Sequence, residues 1–366
     1  MTGWTGGSAF AAYVWSSPSG GARLFRALLM PLSWLFGVIV ARRNATYDAR
    51  MSAGQLPAAA LPSLSVGNLT VGGTGKTPVA SWFVSRLLAA GAAPALVLRG
   101  YGEDEWRVHG LLTPGVPVVV SPDRGRGLVT ARSRRCDCAV LDDAFQHRRV
   151  PRVADVVLVS ADAWQEPPRL LPSGPYREPL RSLRRASAIV ITAKAASPAS
   201  VLAVRAAIRR AAPHVPIAEV RLVPARIHPA TTIGTGAGSE GPVGLAQEVS
   251  WLRGREIMLV SAIADPDAFR LQMESAGATI HHHAVYRDHH DFSTGDVAEL
   301  VANVSSGVEV LCTLKDAVKL VPIWPRAGAA LWYVSQTVVV ERGAEILDQA
   351  VARVLAARRA TIPTAG

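Results

Sequence analysis

Ser65-Val-Gly-Asn-Leu-Thr-Val-Gly-Gly-Thr-Gly-Lys-Thr-Pro78 has the punctuation of a strand, a tight loop and a helix. Apolar residues Leu61, Leu64 and Val66 lead into it, and a helical pattern from Val79 to Ala90 leaves it. Glycines at 72, 73 and 75 let the backbone turn its N–H groups inward around a polyphosphate, where a Cβ would clash. The helix start adds unpaired N–H groups and the positive end of a dipole. Gly72, Gly73, Thr74, Gly75, Lys76 and Thr77 are therefore expected to bind nucleotide phosphates. Lys76 would bring a point charge to the terminal phosphates and Thr77 a hydroxyl to Mg²⁺. Pro78 suits the first helical turn, where its missing N–H costs little. Thr70 stands where the strict phosphate-loop pattern has a glycine, and the alternative is a Gly-rich turn that merely precedes a helix.

Downstream, short apolar runs alternate with helical segments: Pro94–Arg99, Val116–Val120, Cys138–Asp142, Val156–Val159 and Ala188–Ile191. This pattern predicts an α/β fold with a parallel sheet of the P-loop NTPase type. Ligands in such sheets gather at the C-terminal strand ends. Thr77, Asp142 and Asp143 should therefore converge on a Mg²⁺ site, although acidic residues at a strand end can be turn formers only. A second, smaller α/β unit begins near Glu256-Ile-Met-Leu-Val260, after a Gly/Thr-rich insertion or linker at 230–246. The expected division is a poorly ordered N-terminus and interfacial helix at 1–50, a P-loop kinase domain at 51–225 and a smaller C-terminal α/β domain at 226–366. Histidines 281–283, 289 and 290 lack the i, i+4 helical pair of zinc hydrolases, so catalytic or substrate contacts from His289 or His290 are favoured over metal binding.

The chain of 366 residues carries a net charge of +11, which calls for an anionic partner. Aromatics make up only 6% and interleave with no basic stripe, so nucleic acid is not favoured. Mean hydropathy is +0.21, leaning toward membrane association. Cys136, Cys138 and Cys312 are too few and too badly spaced for a disulfide framework or a zinc site. Residues 1–22 are Gly/Ser-rich and read as poorly ordered. Leu28–Ala41 is apolar and flanked by Arg23, Arg26, Arg42 and Arg43. Fourteen such residues give about 21 Å of helix, short of a bilayer core. An interfacial helix among anionic headgroups fits that length, as does an ordinary core helix.

Six elements occur in order: Ser65–Pro78, Arg99-Gly-Tyr-Gly102, Asp142-Asp-Ala-Phe-Gln-His147, Leu171-Pro-Ser-Gly-Pro-Tyr-Arg-Glu-Pro179, Asp288-His-His-Asp-Phe292 and Thr313-Leu-Lys-Asp-Ala317. In these the chain resembles the tetraacyldisaccharide 4′-kinases, which phosphorylate a lipid A precursor with ATP. The resemblance runs from about residue 24 to about 350 and implies ATP and Mg²⁺ as cofactors and an acylated disaccharide lipid as substrate. It also implies a peripheral position on the cytoplasmic face of the bacterial inner membrane, among anionic lipids, with no obligate protein partner. By motif, Lys76 and Arg177 would serve the phosphates, Asp142 and Asp143 the metal, and Asp104 the proton of the acceptor hydroxyl, supported by His289 or His290. Tyr101, His147 and Glu178 would lie beside the substrate or the residues that touch it. Glu103 and Trp106 replace the glycine and proline that flank the family's catalytic aspartate, and Ala144 replaces a glycine. The alternative for Asp104 is a solvated loop with Glu103 and Glu105. The competing class, a membrane-surface partitioning-type ATPase switch, has a lysine where Val71 stands.

Overall fold

The computed structural model describes residues 11, 13–100, 102–233, 246–305, 307–326 and 328–361. The strands are β1 (Ser63–Asn68), β2 (Pro94–Leu98), β3 (Val118–Val120), β4 (Cys138–Asp142), β5 (Ala154–Ser160), β6 (Ala188–Ala193), β7 (Ile217–Pro229), β8 (Gln247–Glu248), β9 (Glu256–Ser261), β10 (Thr279–Val285), β11 (Glu309–Thr313) and β12 (Leu331–Arg342). All twelve belong to one sheet, ordered β10-β9-β11-β12-β7-β6-β5-β1-β4-β2-β3, with β8 alongside β7. From β3 to β7 every pairing is parallel, as it is from β10 to β12. The two parallel sets meet where β12 runs antiparallel to β7. Strands β1, β2, β4 and β6 are buried throughout, which is why β2, β4 and β6 read as mainly apolar runs, while β1 alternates serine with Leu64 and Val66.

The phosphate-loop helix, Lys76–Ala89, packs Val79, Phe83, Val84 and Leu87 against Leu64 and Val66 of β1. The same core holds Leu347, Ala350, Val351 and Val354 of the final helix, Ala344–Thr361, so the chain's end returns to the first half. Conversely, Val108 of helix Glu103–Leu112 packs with Met258, Val310 and Val318 of the second half. The expected boundary at 225/226 falls inside β7, which pairs with β6 on one side and β12 on the other. The halves are laced together by exchanged helices and a shared strand pair, which a reading of apolar runs in chain order does not reveal.

Near the N-terminus the structure departs from the expected disorder. Val14 is buried, Trp15 Nε1 donates to Pro172 O at 2.9 Å, and Ser19 caps a helix that runs from Gly20 to Ser52. Its 33 residues give about 50 Å, more than twice the apolar run alone. The helix continues past Arg42 because its polar end is docked: Asn44 Nδ2 donates to Glu178 at 2.9 Å and Arg148 Nη1 donates to Asn44 O at 2.9 Å. Ser33 Oγ donates to Leu170 O at 3.0 Å, and Gly37 leaves space for Leu170, whose Cδ1 would lie 2.9 Å from a Cβ there. On the opposite side Leu24, Leu28, Leu35 and Ile39 are exposed, and Trp34 is 73% exposed. By length and composition the helix could cross a membrane. One stripe is bound to the protein and the other faces outward. The Gly/Thr-rich insertion lies mostly outside the described residues, at 234–245.

Candidate active site

The phosphate loop bends at Gly72 and Gly75, whose φ angles of 109° and 81° lie in the left-handed region. A Cβ at Gly75 would also strike Leu222. Beside the loop, Asn68 Nδ2 donates to Thr74 Oγ1 at 2.9 Å, and Thr192 Oγ1 donates to Thr74 O at 3.0 Å. Arg177 holds Asp143 with both terminal nitrogens, at 2.9 and 3.2 Å, and also donates to Asn68 Oδ1. Lys76 Nζ lies 3.8 Å from the same Asp143 carboxylate. Burial pushes the Asp143 carboxyl upward, but Lys76 and the Arg177 hydrogen bond outweigh it and hold it at about 2. Asp143 is thus an anion waiting among cations that a polyphosphate would also attract.

Asp142 ends β4 with both oxygens engaged. Oδ1 accepts from the Asp143 N–H at 2.9 Å, and Oδ2 lies 2.9 Å from His109 Nε2. Arg124, itself buried, donates to the Asp142 carbonyl at 3.0 Å.

Across the cleft, Asp104 sits in the first turn of helix Glu103–Leu112, with its side chain only 4% exposed, rather than on a solvated loop. Val108, packed into the second half, pins that helix. Lys319 Nζ lies 3.6 Å from Asp104 Oδ2, and His289 Nδ1 lies 3.8 Å from it. His289 is placed by a left-handed turn (φ 60°) and by its N–H, which donates to Ala262 O at 3.1 Å. Burial, then the Lys315 charge, lowers the His289 pKa and favours the neutral ring. Glu105 is pushed upward by burial and by Asp142. Lys76, Thr77, Asp104, Asp142, Asp143 and His289 all line one cleft of about 910 Å³.

Three expected site residues do not line the cleft. His290 turns from the cleft, stacks on Tyr286 with ring centroids 4.8 Å apart and approaches Asp296 at 3.2 Å. Glu178, buried, pairs with Arg185 at 2.8 Å and with Asn44, so it ties down the N-terminal helix. The chain bends at these two residues, and Arg177 lines the cleft whereas Glu178 does not. His147 is half-buried outside the cleft lining, where burial and then Arg124 lower its pKa to about 4. Tyr101 lies outside the described residues. Sequence reasoning missed Asn68, His109, Arg124, Lys315 and Lys319. Of these, Asn68 and Lys315 lay inside quoted motifs, and the i, i+4 spacing of Lys315 to Lys319 was the only signal for the second lysine.

Among the described residues no three His, Cys, Asp or Glu side chains gather closely enough to enclose a metal alone. The expected donors Thr77, Asp142 and Asp143 all line the cleft and would offer two carboxylates and a hydroxyl, all oxygen, beside phosphate oxygens and water. Such a partial, all-oxygen set fits Mg²⁺, which is commonly held by one or two carboxylates with a nucleotide.

A phosphate loop on a parallel sheet, facing a buried carboxylate, defines a P-loop phosphotransferase. Comparison with known proteins narrows the class. The family model for tetraacyldisaccharide-1-P 4′-kinase (LpxK) matches residues 25–115 and 110–356. A tetraacyldisaccharide 4′-kinase of Anaeromyxobacter dehalogenans strain 2CP-C is 36% identical, over 87% of each chain. One from Chlorobium limicola is 28% identical, over 80% of this chain and 86% of its own. A crystal structure of LpxK from Aquifex aeolicus in complex with ATP superposes with a TM-score of 0.66 at 25% identity, covering 90% of this chain and 99% of the other. The chain belongs to the tetraacyldisaccharide 4′-kinase family.

Proposed function

We propose that the protein transfers the γ-phosphoryl group of ATP to the 4′-hydroxyl of a tetraacyldisaccharide 1-phosphate, the lipid A precursor. The observation that carries this reading is the single cleft in which a phosphate loop faces a buried aspartate on a separate helix. Phosphoryl transfer needs positioning and charge neutralisation more than covalent chemistry. Lys76 and Arg177 supply positive charge to the transferred group, with Arg177 sharing its guanidinium between Asp143 and the phosphate. Bound at Thr77, Asp142 and Asp143, Mg²⁺ would supply further charge neutralisation to the nucleotide. The 4′-oxygen attacks the γ-phosphorus, the bond to the β–γ bridging oxygen breaks, and the hydroxyl proton passes to the Asp104 carboxylate. Lys319 Nζ lies 3.6 Å from Asp104 Oδ2, and a neutral His289 beside it can take the proton onward. His290 has no such position.

The outward apolar stripe of the N-terminal helix supports a peripheral position on the cytoplasmic face of the inner membrane, with the arginines among anionic headgroups. The alternative of a partitioning-type ATPase switch is not favoured. In detergent, ATP turnover should depend on an acylated disaccharide 1-phosphate. Turnover that ignores this lipid and instead follows self-association would overturn the kinase reading.

A further inference from the structure

His109 is fully buried, and both ring nitrogens face elements that carry the site. It projects from the helix that bears Asp104. Nε2 lies 2.9 Å from Asp142 Oδ2, and Nδ1 lies 3.4 Å from the hydroxyl of Ser81 on the phosphate-loop helix. An ionised carboxylate can only accept, so Nε2 carries the hydrogen. Nδ1 faces the Ser81 hydroxyl, so the imidazole links the phosphate-loop helix to Asp142.

We infer that His109 is a positioning residue for the nucleotide-bound metal, holding the Asp142 carboxylate at a fixed angle and tying the helix of Asp104 to the end of β4. This rests on the reading of Asp142 as a metal ligand. With Oδ1 held by the Asp143 N–H and Oδ2 by the imidazole, the carboxylate cannot rotate. Its remaining lone pairs keep one direction before any ligand arrives. Outer partners that orient a metal ligand in this way commonly contribute about 10–100-fold in metal affinity. The same bond joins the two sides of the cleft, since Asp104 and Asp142 belong to elements that approach through His109.

The test measures Mn²⁺ binding to the ATP complex by electron paramagnetic resonance, and metal-free ATP binding by calorimetry in EDTA. His109→Met should weaken Mn²⁺ binding by about 10–100-fold and leave metal-free ATP binding within about two-fold of the parent. His109→Gln, whose amide reaches the position of Nε2, should restore most of the loss. Unchanged Mn²⁺ affinity in His109→Met, or an equal loss of metal-free ATP binding, overturns the inference. Should His109→Met not fold, the pair His109→Gln and His109→Asn decides. The longer amide reaches Asp142 and the shorter does not, so equal Mn²⁺ affinities overturn the inference. Asp142→Asn separates the two levels. If it leaves Mn²⁺ affinity intact, the reading of Asp142 as a ligand fails and the inference with it. If it weakens Mn²⁺ binding while His109→Met does not, the inference alone fails.

Discussion

On the phosphate-loop wall, Lys76, Asp143, Arg177, Asn68 and Thr74 form a connected chain of ion pairs and hydrogen bonds. On the facing wall, Asp104 meets Lys319 and His289 only at 3.6 and 3.8 Å, and the three come from separate elements. The first wall is organised before ligand arrives, so a polyphosphate finds its charges in place. The second is assembled from both halves of the molecule and has slack that an acceptor can take up. Looseness of this kind is usual for groups that align only in the reacting complex.

Substitutions on each wall should therefore fail differently. The largest effect is expected from Asp104→Asn, which keeps shape but removes the basic oxygen. Its kcat should fall by about 10²- to 10⁴-fold with ATP affinity retained, as measured by steady-state kinetics and calorimetry. Wild-type kcat in a folded Asp104→Asn protein would remove the base from that wall. Lys76→Ala should cost kcat roughly 10²-fold or more, because its charge contact strengthens in the transition state. Here ATP binding should weaken too, and the contrast with Asp104→Asn is the sharpest probe of the division of labour. Lys315→Met should have the smallest effect, a shift in pH profile. The Lys315 charge helps burial to lower the His289 pKa, so its loss should raise that pKa and move the acid limb of kcat/KM to higher pH. An unmoved limb would mean that His289 does not set it.

The phosphate wall was largely legible because its loop is contiguous, and a lysine after three glycines leaves little choice of geometry. Asp142 and Asp143 were legible as the end of a strand. His289 and His290 could not be told apart by spacing, since a left-handed turn at His289 decides which ring enters the cleft. Spacing likewise could not separate Arg177, which lines the cleft, from Glu178, which pairs with Arg185 and Asn44. Nothing in a single histidine within a helical run announces a partner thirty-three positions away, so His109 emerged only from the fold. The N-terminal helix was read too short because hydropathy registers apolar residues, whereas its last turns are held by polar contacts to Glu178 and Arg148.

The antiparallel pairing of β7 with β12, from Glu219 and Arg342 to Pro229 and Trp332, is the backbone seam between the two parallel sets. A seam of that length cannot act as a door hinge, because swinging one set freely would tear a row of ladder bonds. It can flex as a leaf spring does, by changing twist. Its irregularities lie between Ser335 and Gln336 and between Val340 and Arg342, where an extra residue breaks the ladder and lets the strand bend. The first of these is at the cleft itself, since Val334 and Gln336 both line it. A change in the spacing of the two walls would therefore be taken up first at that irregularity, as a change of twist rather than a loss of pairing.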